Sequence, residues 1–415
     1  MKVYLRTFGC RANHYDTEAV RAMLETNGHA IVSSPADADV AVFNSCAVTS
    51  DAEAELRKVV RRAAREQPAL RSLVMGCAAA LDGDRAEPLR ILSLPTVERV
   101  IAGADMPAIA EALDLVPPAT PVATRAQSGV RALLRIQDGC DEHCTFCATT
   151  LARGANRSRP GADLVREAAV LGQRHPEIVI TGIHIGTYGA DIGSSLGALM
   201  QRLVRDVPSV RFRLSSIEAT ELDDALVELL AGAPHQLVPH VHAPLQSGSD
   251  RVLRRMGRHW YSSSTYAQAI ERLAVRMPVL GLGADVIAGF PGETAHDHDA
   301  TLRLIEGLPF TYLHVFPYSR RPGTAAGRLG GVVPSPVATE RAAGLRALAV
   351  RKAAAYRANR AGGIADAITI GGRGERDAMT GDYLSVIPSD PSLPRGARFA
   401  ARLVLEHDRL LAVPL

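Results

Sequence analysis

Short apolar runs alternate with stretches of helical spacing through the first hundred or so residues. Val3-Tyr4-Leu5, Val40-Ala41-Val42-Phe43 and Leu73-Val74-Met75 have strand length, while Thr17–Thr26 and Glu53–Arg65 carry apolar residues near helical spacing. Strands alternating with helices predict a parallel sheet. The segment Pro117-Pro118-Ala119-Thr120-Pro121 breaks this rhythm and reads as a linker. From about Arg131 the rhythm resumes, with predicted strands at Ala132–Ile136, Ile178–Thr181, Val210–Leu214, Leu237–His242, Val279–Ile287 and Tyr312–Phe316. Helical patterns lie between them, including Asp163–Leu171, Leu222–Leu230 and Tyr266–Val275. Six such units predict a closed or partly closed βα barrel.

Thr339–Arg360 is rich in Ala and Arg and predicts one long helix. After Gly362-Gly363, Ala367–Ile370, Tyr383–Ile387, Phe399–Leu405 and Leu410–Val413 read as short strands separated by Gly, Asp and Pro, the pattern of a small β-barrel. The expected fold class is therefore α/β. An N-terminal open parallel βα sheet occupies residues 1–115 and a linker 116–130. A partial (βα)6 barrel with its C-terminal helix occupies 131–362, and a small all-β barrel 363–415.

Composition changes this picture little. At 415 residues, 47% hydrophobic and 22% charged, the chain has ample material for several cores. A formal charge of +3 does not by itself announce a nucleic-acid partner, so any such surface must come from local arginine clusters. The N-terminus lacks the apolar core of a signal peptide, and no apolar run is long enough to cross a bilayer. The expected compartment is the cytoplasm, with no membrane contact. There, six cysteines are better read as ligands or catalytic groups than as disulfides.

Cys140, Cys144 and Cys147 are spaced C-x3-C-x2-C directly after the first barrel strand, at the end where barrel active sites sit. Three thiolates this close can hold three irons of a 4Fe–4S cube and leave the fourth open. An open iron can chelate the amino and carboxylate groups of S-adenosylmethionine (SAM), whose sulfonium bond one electron then breaks to a 5′-deoxyadenosyl radical. Zinc is the competing reading, but it wants four ligands, commonly in pairs, and His143 is the one nearby candidate for a fourth. The spacing resembles the signature of the radical-SAM superfamily. By that resemblance Phe146 packs near the adenine; as plain core filler it would need no ligand.

Cys10, Cys46 and Cys77 each follow one of three successive strands, about one βα unit apart. In an open parallel sheet, ligands bind beyond the carboxyl ends of the strands, so the three thiols should converge. Gly9 and Gly76 would let the backbone pass close to a bulky ligand. Asn13, Asn44 and Ser45 could donate hydrogen bonds to cluster sulfurs. Three buried structural cysteines are the alternative.

Two three-cysteine sets in this order resemble the methylthiotransferase family of radical-SAM enzymes over almost the whole chain. The supporting motifs are Phe8-Gly9-Cys10-Arg11-Ala12-Asn13, Asn44-Ser45-Cys46-Ala47-Val48-Thr49, Ala152-Arg153-Gly154, Arg157-Ser158-Arg159, Pro244-Leu245-Gln246-Ser247-Gly248-Ser249 and Gly289-Phe290-Pro291-Gly292-Glu293-Thr294. Thr181-Gly182-Ile183-His184-Ile185-Gly186, Ser215-Ser216-Ile217-Glu218-Ala219 and His314-Val315-Phe316-Pro317-Tyr318-Ser319 resemble one branch of it. That branch acts on tRNA bearing N6-threonylcarbamoyladenosine next to the anticodon. The resemblance implies two 4Fe–4S clusters, SAM, a TRAM-like C-terminal barrel and conversion of C2–H of that adenine to C2–SCH3. It also implies tRNA, an electron donor such as flavodoxin or ferredoxin, and a sulfur source as partners. The same chemistry on isopentenyladenosine tRNA or on a ribosomal-protein aspartate is the nearest alternative. A non-catalytic RNA-binding protein with structural zinc or Fe–S sites is the alternative of another class. The chain departs from the family pattern at Asp141, at Ala148-Thr149-Thr150 and at Ala78-Ala79-Ala80.

Thr181, Ser215, Glu218, His242, Gln246 and Asp285 fall at or just past predicted barrel strand ends, where SAM or substrate would be met. Arg251, Arg254, Arg255 and Arg258, and likewise Arg57, Lys58, Arg61, Arg62 and Arg65, read as solvated helix faces. Aromatics in the terminal barrel are few, with Tyr383 in a predicted strand, too little for base stacking there.

Overall fold

The computed structural model describes residues 1–47, 50–82, 90–116, 127–321, 323–371 and 377–415. The proposed linker's Pro-rich stretch 117–121 lies outside them.

Five strands, β1 (Lys2–Thr7), β2 (Ala30–Val32), β3 (Val40–Ser45), β4 (Arg71–Gly76) and β5 (Val97–Ala102), form a parallel sheet in the order β2-β1-β3-β4-β5. Every residue of central β3 is buried, which is why it reads as a continuous apolar run. The two edge strands escaped the sequence reading: β2 has three residues, and β5 is interrupted by the adjacent charges Glu98 and Arg99. Register places Thr7 opposite Asn44 and Ser45 opposite Gly76. The carboxyl ends of β1, β3 and β4 therefore finish level, and one cysteine follows each.

The first helix starts at Arg11, not Thr17 as the apolar spacing suggests. Its opening turns bury Asn13, Asp16 and Thr17, polar groups that hide the periodicity.

The central strands are β6 (Arg131–Arg135), a small hairpin of β7 (Gln137–Asp138) with β8 (Arg157–Ser158), then β9 (Glu177–Thr181), β10 (Arg211–Leu214), β11 (His240–His242), β12 (Gly281–Ala288) and β13 (Tyr312–Pro317). They pair in two parallel sets, β10-β9-β6 and β11-β12-β13. Single bridges Phe212 to Leu237 and Ser216 to His242 join the sets into a six-stranded partial barrel. The expected strand Leu237–His242 is thus regular only over its last half. Between these strands and the helices packed on them lies the largest apolar core of the described residues, with Phe212, Tyr266 and Phe290 fully buried. No described helix is long and apolar enough to cross a membrane.

The long helix Ser335–Arg360 lies against β13, burying Ala338, Ala342, Leu345 and Leu348 as one stripe. Beyond it β14 (Ile364–Thr369), β15 (Ala378–Thr380), β16 (Ser385–Pro388), β17 (Arg398–Glu406) and β18 (Arg409–Pro414) close a barrel in the order β14-β15-β16-β18-β17. The strand expected at Tyr383 begins two residues later, at Ser385; Tyr383 sits in the preceding turn at φ +68°.

A fully buried ion cluster seats this terminal barrel on the central one. Glu177 accepts from Arg211 Nε at 2.7 Å and from Arg213 Nε at 2.8 Å, all three side chains having no exposure. The same guanidinium groups donate to the carbonyls of Asp366, Met379, Thr380 and Gly381. Burial would raise the Glu177 carboxyl, but Arg213 and Arg211 hold it well below the usual carboxylate range.

Candidate active site

All six cysteines are free thiols. Cys10, Cys46 and Cys77 line one cavity of about 610 Å³ at the carboxyl edge of the N-terminal sheet. Two glycines permit that convergence. Gly9, at φ +102°, passes so near Cys46 that a Cβ would lie 2.6 Å from its Sγ. Gly76, at φ +99°, would put a Cβ 2.3 Å from Asn44 Oδ1 and 2.5 Å from the Ser45 carbonyl. Asn13 does not donate to the sulfurs. Its Nδ2 is taken by the Phe8 and Ser45 carbonyls, and its Oδ1 faces Cys10 Sγ at 3.5 Å and Cys77 Sγ at 3.8 Å. Asn44 and Ser45 likewise turn to protein partners, through the Asn13 and Met75 carbonyls.

Cys140, Cys144 and Cys147 line a second cavity, of about 430 Å³, with His143 and Arg328. Each sulfur has a polar contact. Cys140 Sγ lies 3.5 Å from His184 Nδ1, Arg258 Nη1 donates to Cys144 Sγ at 3.4 Å, and the Thr149 amide donates to Cys147 Sγ at 3.3 Å. His184 Nε2 in turn lies 2.8 Å from Glu221 Oε1. Arg258 is the end of the run that reads as a solvated helix face, yet it is 4% exposed and paired with Glu218. The signal missed was its neighbour Trp260, over which the guanidinium stacks at 4.8 Å.

The helix Thr149–Arg153 joins the two cavities. Thr149 lines the first and Thr150 the second. Arg153, 7% exposed, donates through Nε to Cys77 Sγ at 3.3 Å. Its other nitrogens reach Asp138 at 3.0 Å, Asn13 Oδ1 at 3.0 Å and the fully buried Asp16 at 2.8 Å. One side chain on the second cysteine loop thereby touches the first cysteine set.

Thr181, Ser215, His242 and Asp285 line the first cavity, together with Tyr312, His314 and Tyr383. Phe146, Glu218 and Gln246 do not. Phe146 packs edge-on to Phe290 at 6.3 Å, and Gln246 is held at φ +61° by main-chain bonds to β12. Asp285 Oδ1 takes bonds from His242 Nε2 and His314 Nδ1, each at 3.1 Å. Burial opposes its ionisation, but the two imidazoles hold its carboxyl well below the usual range.

The thiols fit an iron–sulfur body better than zinc. Among the described residues, the only three Cys, His, Asp or Glu ligand atoms lying within 4.8 Å of one another belong to His242, Asp285 and His314. The sulfurs of neither set close to that spacing, whereas tetrahedral zinc at about 2.3 Å would draw sulfurs to about 3.8 Å apart. Burial pushes the Cys77 thiol up to about 11 despite Arg153, and Cys144 up to about 12 despite Arg258. Such thiols ionise at neutral pH only when a metal takes the thiolate. Glu218 Oε2 is buried without a partner among the described residues, an acceptor that a bound donor such as the SAM ammonium would satisfy.

A partial βα barrel with three thiols on its first loop is the architecture of a radical-SAM protein, and the Radical SAM superfamily model matches residues 134–305. A second family model, described as uncharacterized protein family UPF0004, matches residues 2–92. The threonylcarbamoyladenosine tRNA methylthiotransferase MtaB of Thermotoga maritima is 34% identical over 82% of this chain and 80% of its own length. That of Bacillus subtilis is 36% identical over 85% and 81%. The chain belongs to this MtaB-type methylthiotransferase family. A tRNA-2-methylthio-N(6)-dimethylallyladenosine synthase of Parafrankia sp. is 34% identical over 91% of the chain and 79% of its own. Among solved structures, the radical SAM methyltransferase TsrM from Kitasatospora setae shares the fold, with TM-score 0.59 and 16% identity over 79% of this chain and 75% of that one.

Proposed function

We propose that this protein converts N6-threonylcarbamoyladenosine next to the anticodon of tRNA to its 2-methylthio derivative. The observation that carries the reading is the pair of three-thiol cavities joined by the helix Thr149–Arg153. Cys140, Cys144 and Cys147 would hold the cluster that takes SAM, and Cys10, Cys46 and Cys77 a second 4Fe–4S cluster. When bound, these groups supply a carbon-centred radical and a carrier for the sulfur that is inserted and methylated. C2–H is unactivated, which is why a radical is needed.

The chain's own residues do the rest. Arg153 and Asn13 fix Cys77 and Cys10 against the barrel mouth. Thr181, Ser215, His242 and Asp285 hold the nucleotide in the cavity, while Phe146, Glu218 and Gln246 belong to the SAM side. We divide the chain into a cluster domain (1–115), a linker (116–130), the radical-SAM barrel with its helix (131–362) and the TRAM-like barrel (363–415). An electron donor such as flavodoxin or ferredoxin and a sulfur source complete the system, in the cytoplasm.

The test is an anaerobic assay with SAM, reductant and sulfide on anticodon stem–loop RNA, read by nucleoside mass spectrometry. Methylthio product from the threonylcarbamoyl RNA is expected. Product from dimethylallyl RNA alone would move the assignment to that relative's substrate. Zinc without iron in the purified protein would overturn the enzyme reading.

A further inference from the structure

We propose that Arg11 binds the carboxylate of the threonylcarbamoyl group, so that one charge selects this substrate; the inference rests on the reading above. Arg11 opens the helix Arg11–Thr26 directly after Cys10 and lines the first cavity together with Tyr312 and Tyr383. The other basic side chains lining that cavity are engaged. Arg153 is paired with Asp16 and Asp138, and His242 and His314 share Asp285. The Arg11 side chain has no hydrogen bond or ion pair to any described residue, and the residue is half-buried.

This stands out in a molecule that pairs its site arginines closely. Arg131 and Arg135 nearby, and Arg211, Arg213 and Arg258 deeper, all meet carboxylates. A guanidinium withdrawn from water without an acceptor is costly, and a planar, bidentate anion is its best partner. The cavity offers no such anion itself, because its one lining carboxylate, Asp285, already serves two imidazoles. The threonylcarbamoyl group brings a carboxylate into the nucleoside; a dimethylallyl group brings none. An RNA phosphate is the other source of the same chemistry, and the experiment separates the two.

The measurement is binding of fluorescently labelled anticodon stem–loops to anaerobic holoprotein without SAM. Three RNAs are compared: threonylcarbamoylated, its carboxyl methyl ester, and unmodified. Arg11→Met should weaken the first about tenfold or more, with Arg11→Lys in between. Esterification should weaken wild type about as much as Arg11→Met does, and change the binding of Arg11→Met about twofold or less. Unchanged affinity of Arg11→Met with normal iron content overturns the inference. So does an equal loss on unmodified RNA, which would place a phosphate on Arg11. If Arg11→Met loses iron, the ester on wild type decides: unaltered binding overturns the proposal. Wild-type turnover of the threonylcarbamoyl RNA is measured in parallel. Turnover with an indifferent Arg11 sinks this inference alone, and no turnover sinks both.

Discussion

At Gly76 the space between two strands leaves room for a hydrogen and nothing larger. A Cβ there would press on Asn44 Oδ1 and on the Ser45 carbonyl, from a backbone at φ +99°. Neither neighbour can yield, since one is main chain and the other is locked to the Asn13 carbonyl at 2.7 Å. Gly76→Ala should therefore cost about 2 kcal/mol or more of stability. It should also reduce anaerobic iron from about eight to about four per chain, because Cys77 is displaced. A full iron complement with an unshifted melt would refute this. At this scale the six cysteines and the two glycines were legible from spacing alone. Arg153 was not, because a guanidinium donating to sulfur has the same one-letter neighbourhood as one in water, and Arg258 was signalled only by the Trp260 beside it. Only the fold reveals that Arg153, on the helix that follows the second thiol set, reaches the first.

At the scale of elements, legibility followed burial. Strands covered on both faces, such as β3 and β9, read as apolar runs. Strands at an edge, or half wet like β5, lacked that signature. The opening of the helix Arg11–Thr26 was missed because its inward face is built for the site: Asp16 and Asn13 replace the apolar residues that periodicity looks for. The short helix Thr149–Arg153 is small by sequence measures but fastens the N-terminal sheet to the barrel. Arg153→Met strands the fully buried Asp16 beside Arg135 as its remaining cation. The expected loss is about 3–5 kcal/mol, as when one partner of a buried ion pair is removed. Arg153→Lys should recover part of it, since the charge returns without the planar fork. Thermal melts of the two variants check the order; Lys no better than Met would refute the electrostatic account.

For the whole molecule, the cluster of Glu177, Arg211 and Arg213 fixes where the terminal barrel sits, and hence that Tyr383 reaches the cavity over the N-terminal thiols. The sequence pointed to that small barrel but not to its docking, since no pattern in one strand shows which carbonyls another segment will present. Tyr383, read as a strand residue, instead faces His240 at 4.5 Å and Tyr312 at 5.2 Å from its turn. The Glu177 carboxyl is held below its ordinary value in the folded protein, so its contribution is complete above the unfolded value of about 4.3 and is lost as pH falls through and below it. Wild type should accordingly lose melting temperature more steeply than Glu177→Gln between about pH 5 and pH 3. At neutral pH, Glu177→Gln should be the less stable by about 3–5 kcal/mol. Parallel pH profiles would count against the ion cluster as the clasp.

That clasp has a corollary for sequence change. Arg211 and Arg213 reach the terminal barrel mainly through the carbonyl oxygens of Asp366, Met379, Thr380 and Gly381. Every amino acid carries that oxygen. Beside those oxygens the barrel's own side chains that hold the joint are few, chiefly Asp366 toward Arg211 and Asp382 toward Tyr356 and Arg360. Away from them the attachment answers to the path of the chain rather than to its spelling, and the outward-facing positions of the barrel are open to change while the molecule stays in one piece.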